Sequence, residues 1–568
     1  MERTDLITTA QSSEESGLDG RLKGLGAIIM AAGLGKRMRS KLGKVLHPVA
    51  GRSMVLYVVD LAERLAGKGV VLVVGHQGEQ VRSVVEAHSA ATASRERIQS
   101  LLDSEGERAS ERRSAPPVPV RFAFQTQQLG TGHAVLQARA VFTRENGGPA
   151  SAYLILNGDT PLLSEGTVRR LLRLHERDGA SVTLLTVNLP DPSGYGRVVR
   201  EGGPDGAVLR IVEDRDATPA ESRLTEINVG TYVVDGPFLF EALDKLQPKN
   251  AQNEYYLTDI VALAVDRSLR VSAMVAQDAD ECLGINTRRQ LAQAERVIRK
   301  QIRARWMEAG VTLIDPSTTW IDHLVEIGRD TVIHPHVTLE GRTIIGEDCV
   351  IRSHSRVTDS VLGHRAVVQD SCVVREARLD EDTTVGPFAH LRPGSVIRRS
   401  ARVGNFVEMK KTELGEGSKA NHLSYLGDAR IGKGVNIGAG TITCNYDGWK
   451  KYETVIEDHV FVGSDSQLIA PVRIGRSAVI AAGSSITDDV PPDSLAIARE
   501  RQVNRPGWAA RRRLMQAGES GEASIDHARD HELVERSGAK GAATSGKPLT
   551  PQSLRLTKKG ARKGKARG

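Results

Sequence analysis

A small glycine-rich turn beside two cations is the first place where residue types and spacing suggest chemistry. Met30-Ala-Ala-Gly-Leu-Gly-Lys-Arg-Met38 directly follows a short apolar run, and Lys44 lies six residues beyond it. The backbone N–H groups of such a turn can bind a phosphate at close range, and Arg37 adds positive charge. A tight strand-to-helix connection is the alternative, because the turn matches neither the GxGxxG nor the Walker pattern.

A second group of polar residues lies in the last third of the chain. Arg392 and Lys410 are eighteen residues apart, and His422 follows within Asn421-His-Leu-Ser-Tyr425. Because histidine titrates near neutral pH, His422 is a candidate general base for an amine that must be neutral to attack. Taken alone, His422 would more commonly be interpreted as a surface histidine whose hydrogen bonds are satisfied and which has no catalytic role.

An aliphatic residue, usually followed by Gly, recurs between about Gly328 and Gly483 in steps that return to multiples of six. The step from Gly328 to Gly346, for example, is eighteen residues. A six-residue period predicts a parallel β-helix, in which each side of a triangular coil is a short strand plus a corner. The aliphatic residue fills the prism, and the small residue avoids a Cβ clash. Arg392 and Lys410 are then predicted to stack on neighbouring coils, where their repulsion favours an anion between them.

Apolar runs that alternate with helical segments begin at Leu25. Gly26–Met30, Val70–Gly75 and Ala152–Leu156 are three such runs. This alternation predicts a Rossmann-like α/β domain, with a mostly parallel sheet covered by helices. Asp159 then lies at the carboxyl end of a predicted strand, where open α/β sheets bind ligands. An aspartate in a turn of this kind is otherwise only a turn residue.

These patterns divide the chain into five predicted segments. Residues 89–117, rich in Ser, Glu and Arg, are predicted to form a surface loop inserted into the second segment. The segments are a disordered leader (1–24), an α/β domain (25–287), a linker helix (288–309), a β-helix domain (310–515) and a disordered basic tail (516–568).

Composition excludes several classes of protein. Of 568 residues, 40% are hydrophobic and 26% are charged, which is ordinary for a soluble protein. The four cysteines show no CxxC spacing, which argues against zinc and a disulfide framework and favours a reducing cytoplasm. No stretch approaches the length of a membrane span, and the polar first twenty residues lack the apolar core of a signal peptide.

Positive charge is concentrated at the end of the chain. The net charge is +7, and Lys and Arg cluster between Lys558 and Arg567. A run of this kind is usually a solvated tail, and contact with nucleic acid or an acidic surface is the less favoured alternative.

Six motifs follow the glycine-rich turn in a fixed order. They are KVLHP (Lys44–Pro48), QTQQLGTGHA (Gln125–Ala134), NGDTPLL (Asn157–Leu163), GYGRV (Gly194–Val198), IVEDRDA (Ile211–Ala217) and EINVGTY (Glu226–Tyr232). With the β-helix behind them, the chain from about Leu25 to Trp508 resembles the bifunctional bacterial GlmU family. The resemblance implies an N-acetylglucosamine-1-phosphate uridyltransferase domain followed by a left-handed β-helix glucosamine-1-phosphate N-acetyltransferase domain.

The resemblance implies that a sugar phosphate oxygen attacks the α-phosphorus of UTP and expels pyrophosphate. The nucleophile is already an anion, so the site must neutralise charge and position a divalent metal rather than supply a base. By resemblance Asp159 and Asn286 bind Mg²⁺, while Lys44 and Arg37 face phosphates. The strictness of the preference for UTP is left open.

Further residues of this site also follow from the resemblance. The predicted uracil-reading residues are Gln125, Gly130 and Thr131. Gly196, Glu213 and Asn228 are predicted to hold the sugar, although an exposed strand-end charge is the alternative for Glu213. Asn157 stands where the family usually has an aromatic residue. The remaining predicted substrate-binding residues are Met30, Ala31, Ala32, Gly33 and Gly158.

The resemblance makes His422 the base of the acetyl-transfer site. It places the phosphate of glucosamine 1-phosphate between Arg392 and Lys410. The other predicted acceptor-binding residues are Tyr425, Asn436 and Lys451, with Lys450 as an alternative to Lys451. The predicted acetyl-CoA-binding residues are Ala439, Asn445, Tyr446, Ser464, Ala482 and Arg499. Small residues at 439, 464 and 482 would leave room for the pantetheine arm, and a backbone N–H there could stabilise an oxyanion. Cys444 is expected to be a small buried thiol.

The predicted function is synthesis of UDP-N-acetylglucosamine in the cytoplasm, as a precursor of peptidoglycan and, where present, lipopolysaccharide. Acetyl-CoA acetylates glucosamine 1-phosphate, and UTP then converts the N-acetylglucosamine 1-phosphate. The resemblance also implies a homotrimer.

Two alternatives to this predicted function are a nucleotidyltransferase with a regulatory β-helix and an assembly protein with two inactive sites. His422, with Arg392 and Lys410 in register, argues against the first alternative. The intact set of Lys44, Asp159, Asn286 and His422 argues against the second.

Overall fold

In the computed structural model, the described residues are 21–75, 77–103, 119–145 and 148–519. Within them, an α/β domain is followed by a left-handed β-helix, so the predicted fold class is confirmed. The chain divides after Arg499 into a unit that contains both of these and a C-terminal segment that contains the helix Trp508–Glu519. None of the helices among the described residues is both long and apolar enough to cross a membrane.

The α/β domain is built on a nine-stranded sheet. Its strands and a small separate hairpin (β2 and β3) are β1 (Leu25–Ala31), β2 (Pro48–Val49), β3 (Arg52–Ser53), β4 (Gly69–Val74), β5 (Val120–Phe124), β6 (Ala152–Asn157), β7 (Val182–Asn188), β8 (Arg197–Arg200), β9 (Val208–Val212), β10 (Glu226–Asp235) and β11 (Val271–Val275). The helices up to the β-helix are α1 (Met54–Leu65), α2 (Gly78–Asp103), α3 (Thr131–Gln137), α4 (Arg139–Glu145), α5 (Glu165–Asp178), α6 (Gly236–Leu243), α7 (Asp259–Asp266) and α8 (Arg288–Glu308).

Strand β1 lies in the middle of this sheet because both of its faces are apolar. Ile28 and Ile29 point to opposite faces, and both are fully buried. The sheet order is β11-β7-β10-β6-β1-β4-β5, with β8 and β9 attached beside β10. β1 pairs in parallel with β4 and β6, whereas β10 is antiparallel to β6 and β7. The three predicted strands and the mostly parallel sheet are therefore confirmed.

The β-helix consists of three parallel sheets, one for each side of the prism. The first contains β12 (Thr312–Leu313), β15 (Val332–Ile333), β18 (Val350–Ile351), β21 (Val367–Val368), β24 (Thr384–Val385), β27 (Arg402–Asn405), β30 (Lys419–His422), β33 (Asn436–Ile437), β36 (Phe461–Val462), β39 (Val479–Ile480) and β41 (Leu495–Ala496). The second contains β13 (Trp320–Ile321), β16 (Thr338–Glu340), β19 (Arg356–Thr358), β22 (Val373–Arg375), β25 (His390–Leu391), β28 (Glu408–Lys410), β31 (Tyr425–Gly427), β34 (Ile442–Cys444), β37 (Gln467–Ile469) and β40 (Ser485–Ile486). The third contains β14 (Glu326–Ile327), β17 (Ile344–Ile345), β20 (Val361–Leu362), β23 (Arg378–Leu379), β26 (Val396–Ile397), β29 (Glu413–Leu414), β32 (Ala429–Ile431), β35 (Thr454–Ile456) and β38 (Val472–Ile474).

The glycine that follows an inward-facing aliphatic residue is required by the stacking of coils. A Cβ on Gly463 would lie 2.5 Å from the backbone N of Ala482 on the next coil. The predicted clash is therefore real, but it is with the neighbouring coil. Corners with positive φ are occupied by other residues, such as Phe388 (φ 54°) and Phe406 (φ 56°).

The structure corrects three predicted boundaries. Residues 22–24 belong to the domain rather than to the leader, because the N–H of Leu22 donates to Leu65 O at 2.9 Å. Helix α2 continues to Asp103, so the first part of the predicted 89–117 loop is helical. Its Ala, Glu, Arg and Gln residues favour a helix despite their weak apolar periodicity.

The third correction concerns the end of the β-helix. Its strands end at Ala496, and α9 (Trp508–Glu519) continues past the predicted domain end at residue 515. Ala, Arg, Leu, Met and Gln in this segment are good helix formers. The predicted leader up to residue 20, the rest of the 89–117 loop from residue 104 and the basic tail from residue 520 lie outside the described residues.

Candidate active sites

The first cleft opens at the carboxyl ends of β1 and β6, where the glycine-rich turn faces Asp159. Its volume is about 500 Å³. Eleven predicted residues line it: Met30, Ala31, Ala32, Gly33, Arg37, Lys44, Gln125, Gly130, Thr131, Asn157 and Asp159. The edge of the sheet thus brings together segments that are far apart in the sequence, as expected for an open α/β sheet.

Lys44 lies between the two predicted metal ligands. Its ammonium donates to the carboxylate of Asp159 and, at 3.0 Å, to Oδ1 of Asn286. Two side-chain oxygens therefore converge on one point, and such hard donors suit Mg²⁺. In the described part of the chain, no group of three or more His, Cys, Asp or Glu residues forms a metal site. Mg²⁺ sites with few protein ligands are ordinarily completed by water and substrate phosphates.

The predicted uracil-reading loop is fixed by its own hydrogen bonds. Gln125 is buried, and its Nε2 donates to the carbonyl of Gly130 at 3.0 Å. Gly130 has a φ of 107°, and a Cβ there would lie 2.6 Å from the carbonyl O of Tyr255. The hydroxyl of Thr131 accepts from the N–H of Leu257 at 2.9 Å. These contacts hold the loop at the cleft in a shape that only glycine allows at position 130.

Of the predicted sugar-binding residues, Glu213 lines a second, adjoining cleft of about 600 Å³. Arg37, Lys44, Glu213 and Asn286 line it. Burial raises the pKa of Glu213, and the hydroxyl of Thr258 donates to its carboxylate at 3.2 Å. Glu213 is therefore a partly buried, hydrogen-bonded cleft residue and not an exposed strand-end charge.

Three predicted residues lie behind the clefts and shape them. The N–H of Gly158 donates to the carbonyl of Met30 at 2.9 Å, and the N–H of Asn228 donates to the carbonyl of Gly196 at the same distance. The side chain of Asn228 donates to the hydroxyl of Tyr232 at 2.6 Å. Their predicted contacts with substrate stay predictions.

Asn157, which replaces the family's usual aromatic residue, packs against β10. Its Nδ2 donates to the carbonyls of Val229 and Gly230 at 3.2 and 3.3 Å. A Cβ on Gly230 would lie 2.4 Å from this nitrogen. The amide therefore ties β6 to β10 at the rim of the nucleotide cleft.

Besides Lys36 in the glycine-rich turn, sequence reasoning missed three polar residues of the first cleft: Gln128, Gln252 and Glu254. Gln128 lies within a motif that the analysis quoted, and its Nε2 donates to Ala32 O at 3.0 Å. The other two belong to a polar stretch ahead of α7 that carries no motif of its own. Only its position near Gly130 in the fold gives this stretch a role.

On the β-helix, the predicted base is at the head of a column of small side chains. Asn405 pairs with His422, and in-register pairing continues from Ala420 through Ile437 and Val462 to Ile480. The residues two positions after Ala420, Ile437, Val462 and Ile480 therefore stack on one another from coil to coil. The resulting column is Asn405, His422, Ala439, Ser464 and Ala482. Its later steps are fixed by backbone hydrogen bonds from Asp465 to Ala439 and from Gly483 to Ser464.

His422 is exposed and oriented by a neighbour. Its Nδ1 lies 2.7 Å from Oδ1 of Asn405. An amide oxygen only accepts, so Nδ1 carries the proton and Nε2 is left as the basic nitrogen. Sequence reasoning did not identify Asn405, although it stands seventeen residues before His422, about one coil.

The three predicted acceptor-binding cations form one cluster. Arg392 and Lys410 follow the paired residues Leu391 and Met409, as the predicted stacking requires. The adjacent ammonium of Lys451 lowers the pKa of Lys410, and Arg392 contributes in the same direction. It is Lys451, and not Lys450, whose ammonium has this effect on Lys410.

An internal carboxylate modifies the predicted arrangement of these cations. Arg392 donates to the carboxylate of Glu408 at 2.8 Å. Part of its charge is therefore balanced within the protein. Asp428 favours the charged form of Lys410, but the repulsion from Lys451 and Arg392 and partial desolvation outweigh it. An anionic ligand would relieve this repulsion.

The remaining predicted residues surround this column. Arg499 lies beside it, since a Cβ on Gly483 would be 3.7 Å from the Cδ of Arg499. Asn445 is buried and donates to Asp428, whereas Tyr446 is exposed. Tyr425 begins β31 and pairs with Glu408, the partner of Arg392, whereas Asn436 begins β33 on another side of the prism and pairs with Lys419. Cys444 is only partly buried, not buried as predicted. This burial still raises the pKa of its thiol, as expected for an unreactive cysteine.

Comparison with known families gives two models, one for the α/β domain with the first strands of the β-helix and one for repeats within the β-helix. Residues 26–322 match the family model described as Nucleotidyl transferase. Residues 325–359 and 453–488 match the model described as Bacterial transferase hexapeptide (six repeats).

Whole proteins with this pair of domains align along nearly their full length. The Bifunctional protein GlmU of Pelobacter propionicus is 48% identical over 490 residues, which cover 86% of this chain and 99% of that protein. The GlmU proteins of Trichlorobacter lovleyi and Geobacter metallireducens are 48% and 49% identical to this chain. Each alignment covers 86% of this chain, and the two alignments cover 98% and 99% of those proteins. The chain therefore belongs to the GlmU family, and the two activities predicted from its sequence, which together make UDP-N-acetylglucosamine, are confirmed.

Proposed function

We propose that acetyl transfer takes place at the head of the small-residue column and uridylyl transfer at Lys44, Asp159 and Asn286. The observation that carries this assignment is the bond between Asn405 and His422 at the start of that column. It gives a base with a defined basic nitrogen beside both a cation cluster and a narrow path along the coils.

In the acetyl-transfer step, glucosamine 1-phosphate binds through its phosphate to Lys410, Lys451 and Arg392. Nε2 of His422 accepts the proton of the amine as its nitrogen attacks the thioester carbonyl of acetyl-CoA. The new C–N bond forms, the C–S bond breaks, and the sulfur leaves as the CoA thiol after protonation. The pantetheine arm lies along Ala439, Ser464 and Ala482, where side chains are short, and Arg499 binds the far end of CoA.

In the uridylyl-transfer step, Lys44 and Arg37 offset the charge of the triphosphate and of the departing pyrophosphate. Asp159 and Asn286 would hold Mg²⁺, which supplies a Lewis acid for the phosphate oxygens. Gln125 and the rigid loop at Gly130 orient the uracil ring of UTP. Because the attacking oxygen of N-acetylglucosamine 1-phosphate is already anionic, the site requires positioning and no general base.

An exposed apolar ridge on the β-helix supports self-association of the chain, as the proposed homotrimer requires. The rings of Phe388 and Phe406 stack on one corner of the β-helix with their centroids 5.3 Å apart. Each of the two residues has more than half of its surface exposed. Leu423 continues this apolar ridge and is 63% exposed. A ridge of this kind is stabilised when a second copy covers it. Light scattering of the purified chain would measure the proposed mass of three copies.

We further propose that the enzyme works in the cytoplasm. The cysteines Cys282, Cys349, Cys372 and Cys444 are all unpaired in this structure, as is usual for proteins of a reducing compartment. Both UTP and acetyl-CoA are substrates of that compartment.

Two assays of the purified full chain test the proposed substrates. One follows free CoA released from acetyl-CoA with glucosamine 1-phosphate. The other follows pyrophosphate released from UTP with N-acetylglucosamine 1-phosphate, and it should stop when EDTA removes Mg²⁺. Release of pyrophosphate without CoA would support the alternative of a regulatory β-helix, and neither product would indicate an assembly protein.

A further inference from the structure

A basic cleft lies next to the uridylyl-transfer site and shares one arginine with it. Its volume is about 560 Å³, within the range of ligand-binding clefts. Its lining residues are Arg37, Met38, Arg39, Thr287, Arg288, Arg289 and Gln290. Arg37 also lines both substrate clefts. The basic cleft therefore begins where the phosphates of the nucleotide are expected to lie.

The lining of this cleft is positive and contains no acidic residue. Four arginines come from two separate chain segments. One of them, Arg288, donates to Nδ1 of His47 at 3.2 Å. Burial and Arg288 lower the pKa of His47, so this partner is neutral at pH 7 and offsets none of the charge. Guanidinium groups in such a setting bind phosphate oxygens in pairs.

The position of two of these arginines is unfavourable without an anion. Arg288 and Arg289 begin α8, whose first turn contains no acidic residue. The N-terminal end of a helix carries a positive partial charge, so cations there are destabilising. Disagreement between local sequence preference and structure is expected at functional sites. Thr287 caps the helix by accepting from Gln290 N at 3.2 Å, so the helix start itself is well defined.

We propose that the basic cleft is a second binding site for pyrophosphate, which receives the leaving group of uridylyl transfer from Arg37. This proposal rests on the proposed function of the adjoining site. The lining has no aromatic side chain and Met38 as its only apolar one, so it offers no stacking surface for a nucleobase. The ligand class is therefore a small inorganic polyanion. Moving pyrophosphate to Arg39, Arg288 and Arg289 clears the nucleotide cleft and limits reversal of the reaction.

Calorimetric titration of the full chain tests this site directly. The protein is first loaded with α,β-methylene-UTP in Mg²⁺, which fills the nucleotide cleft without turnover, and is then titrated with pyrophosphate. We expect one equivalent to bind, and the double variant Arg39→Gln/Arg289→Gln should weaken this binding by at least about tenfold. The double variant Arg296→Gln/Lys300→Gln is the matched control, because it also removes two positive charges, from exposed positions of α8 outside the cleft.

The outcomes separate this proposal from that for the adjoining site. Failure of α,β-methylene-UTP to load contradicts the proposed uridylyl site itself. Normal loading with no pyrophosphate binding, or with equal binding by the double variant, overturns the second site. Equal affinity for orthophosphate would overturn the assignment to pyrophosphate. The melting temperature of the double variant should not fall, because the change removes a cation from a helix N-terminus, so weakened binding is not a folding defect.

Discussion

At the scale of single residues, acetyl transfer depends on the orientation of one imidazole. Asn405→Ala removes the partner that accepts from Nδ1 of His422 at 2.7 Å. A general base contributes roughly 10²–10⁴-fold, so loss of its orientation should lower kcat about tenfold with an unchanged KM for acetyl-CoA. Initial rates of CoA release measure both constants. A raised KM with unchanged kcat would show that Asn405 binds acetyl-CoA instead. Gln467→Ala, on the next sheet, is the control.

Two neighbouring lysines provide a second test at this scale. Lys451→Gln should raise the KM for glucosamine 1-phosphate roughly tenfold, because a charged hydrogen bond to phosphate contributes about 1.5–3 kcal/mol. It should also raise the pKa of Lys410, which Lys451 now lowers. Lys450→Gln is the matched control and should leave this KM within about twofold. Steady-state kinetics with glucosamine 1-phosphate as the varied substrate distinguish the two, and the reverse pattern would assign the role to Lys450.

At the scale of elements, the β-helix depends on close stacking of its coils. In Gly463→Val, the new Cβ at position 463 would lie 2.5 Å from the backbone N of Ala482 on the next coil. Overpacking of this kind costs about 1–3 kcal/mol, so the melting temperature should fall by several degrees. Gly166→Ala is the control, because its Cβ would meet nothing closer than 3.8 Å and it lies in a helix. A melting temperature equal to that of the wild type would contradict the stacking argument.

The face of α1 that carries Glu63 gives a pH-dependent prediction. Burial and the nearby Asp60 raise the pKa of Glu63 to about 7, against the opposing effects of His88, Arg21 and Arg52. The folded protein then holds a proton that the unfolded chain releases from about pH 4.5 upward. This contribution favours folding at low pH and is lost as the pH rises through 7.

Glu63→Gln mimics the protonated carboxyl. Because Glu63 is partly solvent-screened, we expect the variant to gain only about 2 °C in melting temperature near pH 8 and little near pH 4.5. Differential scanning fluorimetry at the two pH values measures the difference. An equal gain at both would show that the carboxylate is not strained by its surroundings.

Elements with strong periodicity could be predicted from the sequence. The six-residue repeat predicted the β-helix and the stacking of Arg392 with Lys410, because that register is local. The column that contains Asn405 was missed because the coils differ in length. Its register can be found only when the length of each coil is known. Gln252 and Glu254 were missed because only the tertiary fold brings them to the nucleotide cleft. The part of helix α2 from residue 89 to residue 103 was predicted to be a loop, since this weakly apolar segment has no periodic signal.

At the scale of the whole molecule, two sites on separate domains must act in sequence. One reaction mixture with glucosamine 1-phosphate, acetyl-CoA, UTP and Mg²⁺ tests this most directly, with products separated by chromatography. Wild type should form UDP-N-acetylglucosamine. Asp159→Ala should stop at N-acetylglucosamine 1-phosphate. His422→Ala should form neither product until N-acetylglucosamine 1-phosphate is supplied, and then form the nucleotide sugar at the wild-type rate. UDP-N-acetylglucosamine formed from glucosamine 1-phosphate by His422→Ala, or no rescue by the supplied intermediate, would contradict the account.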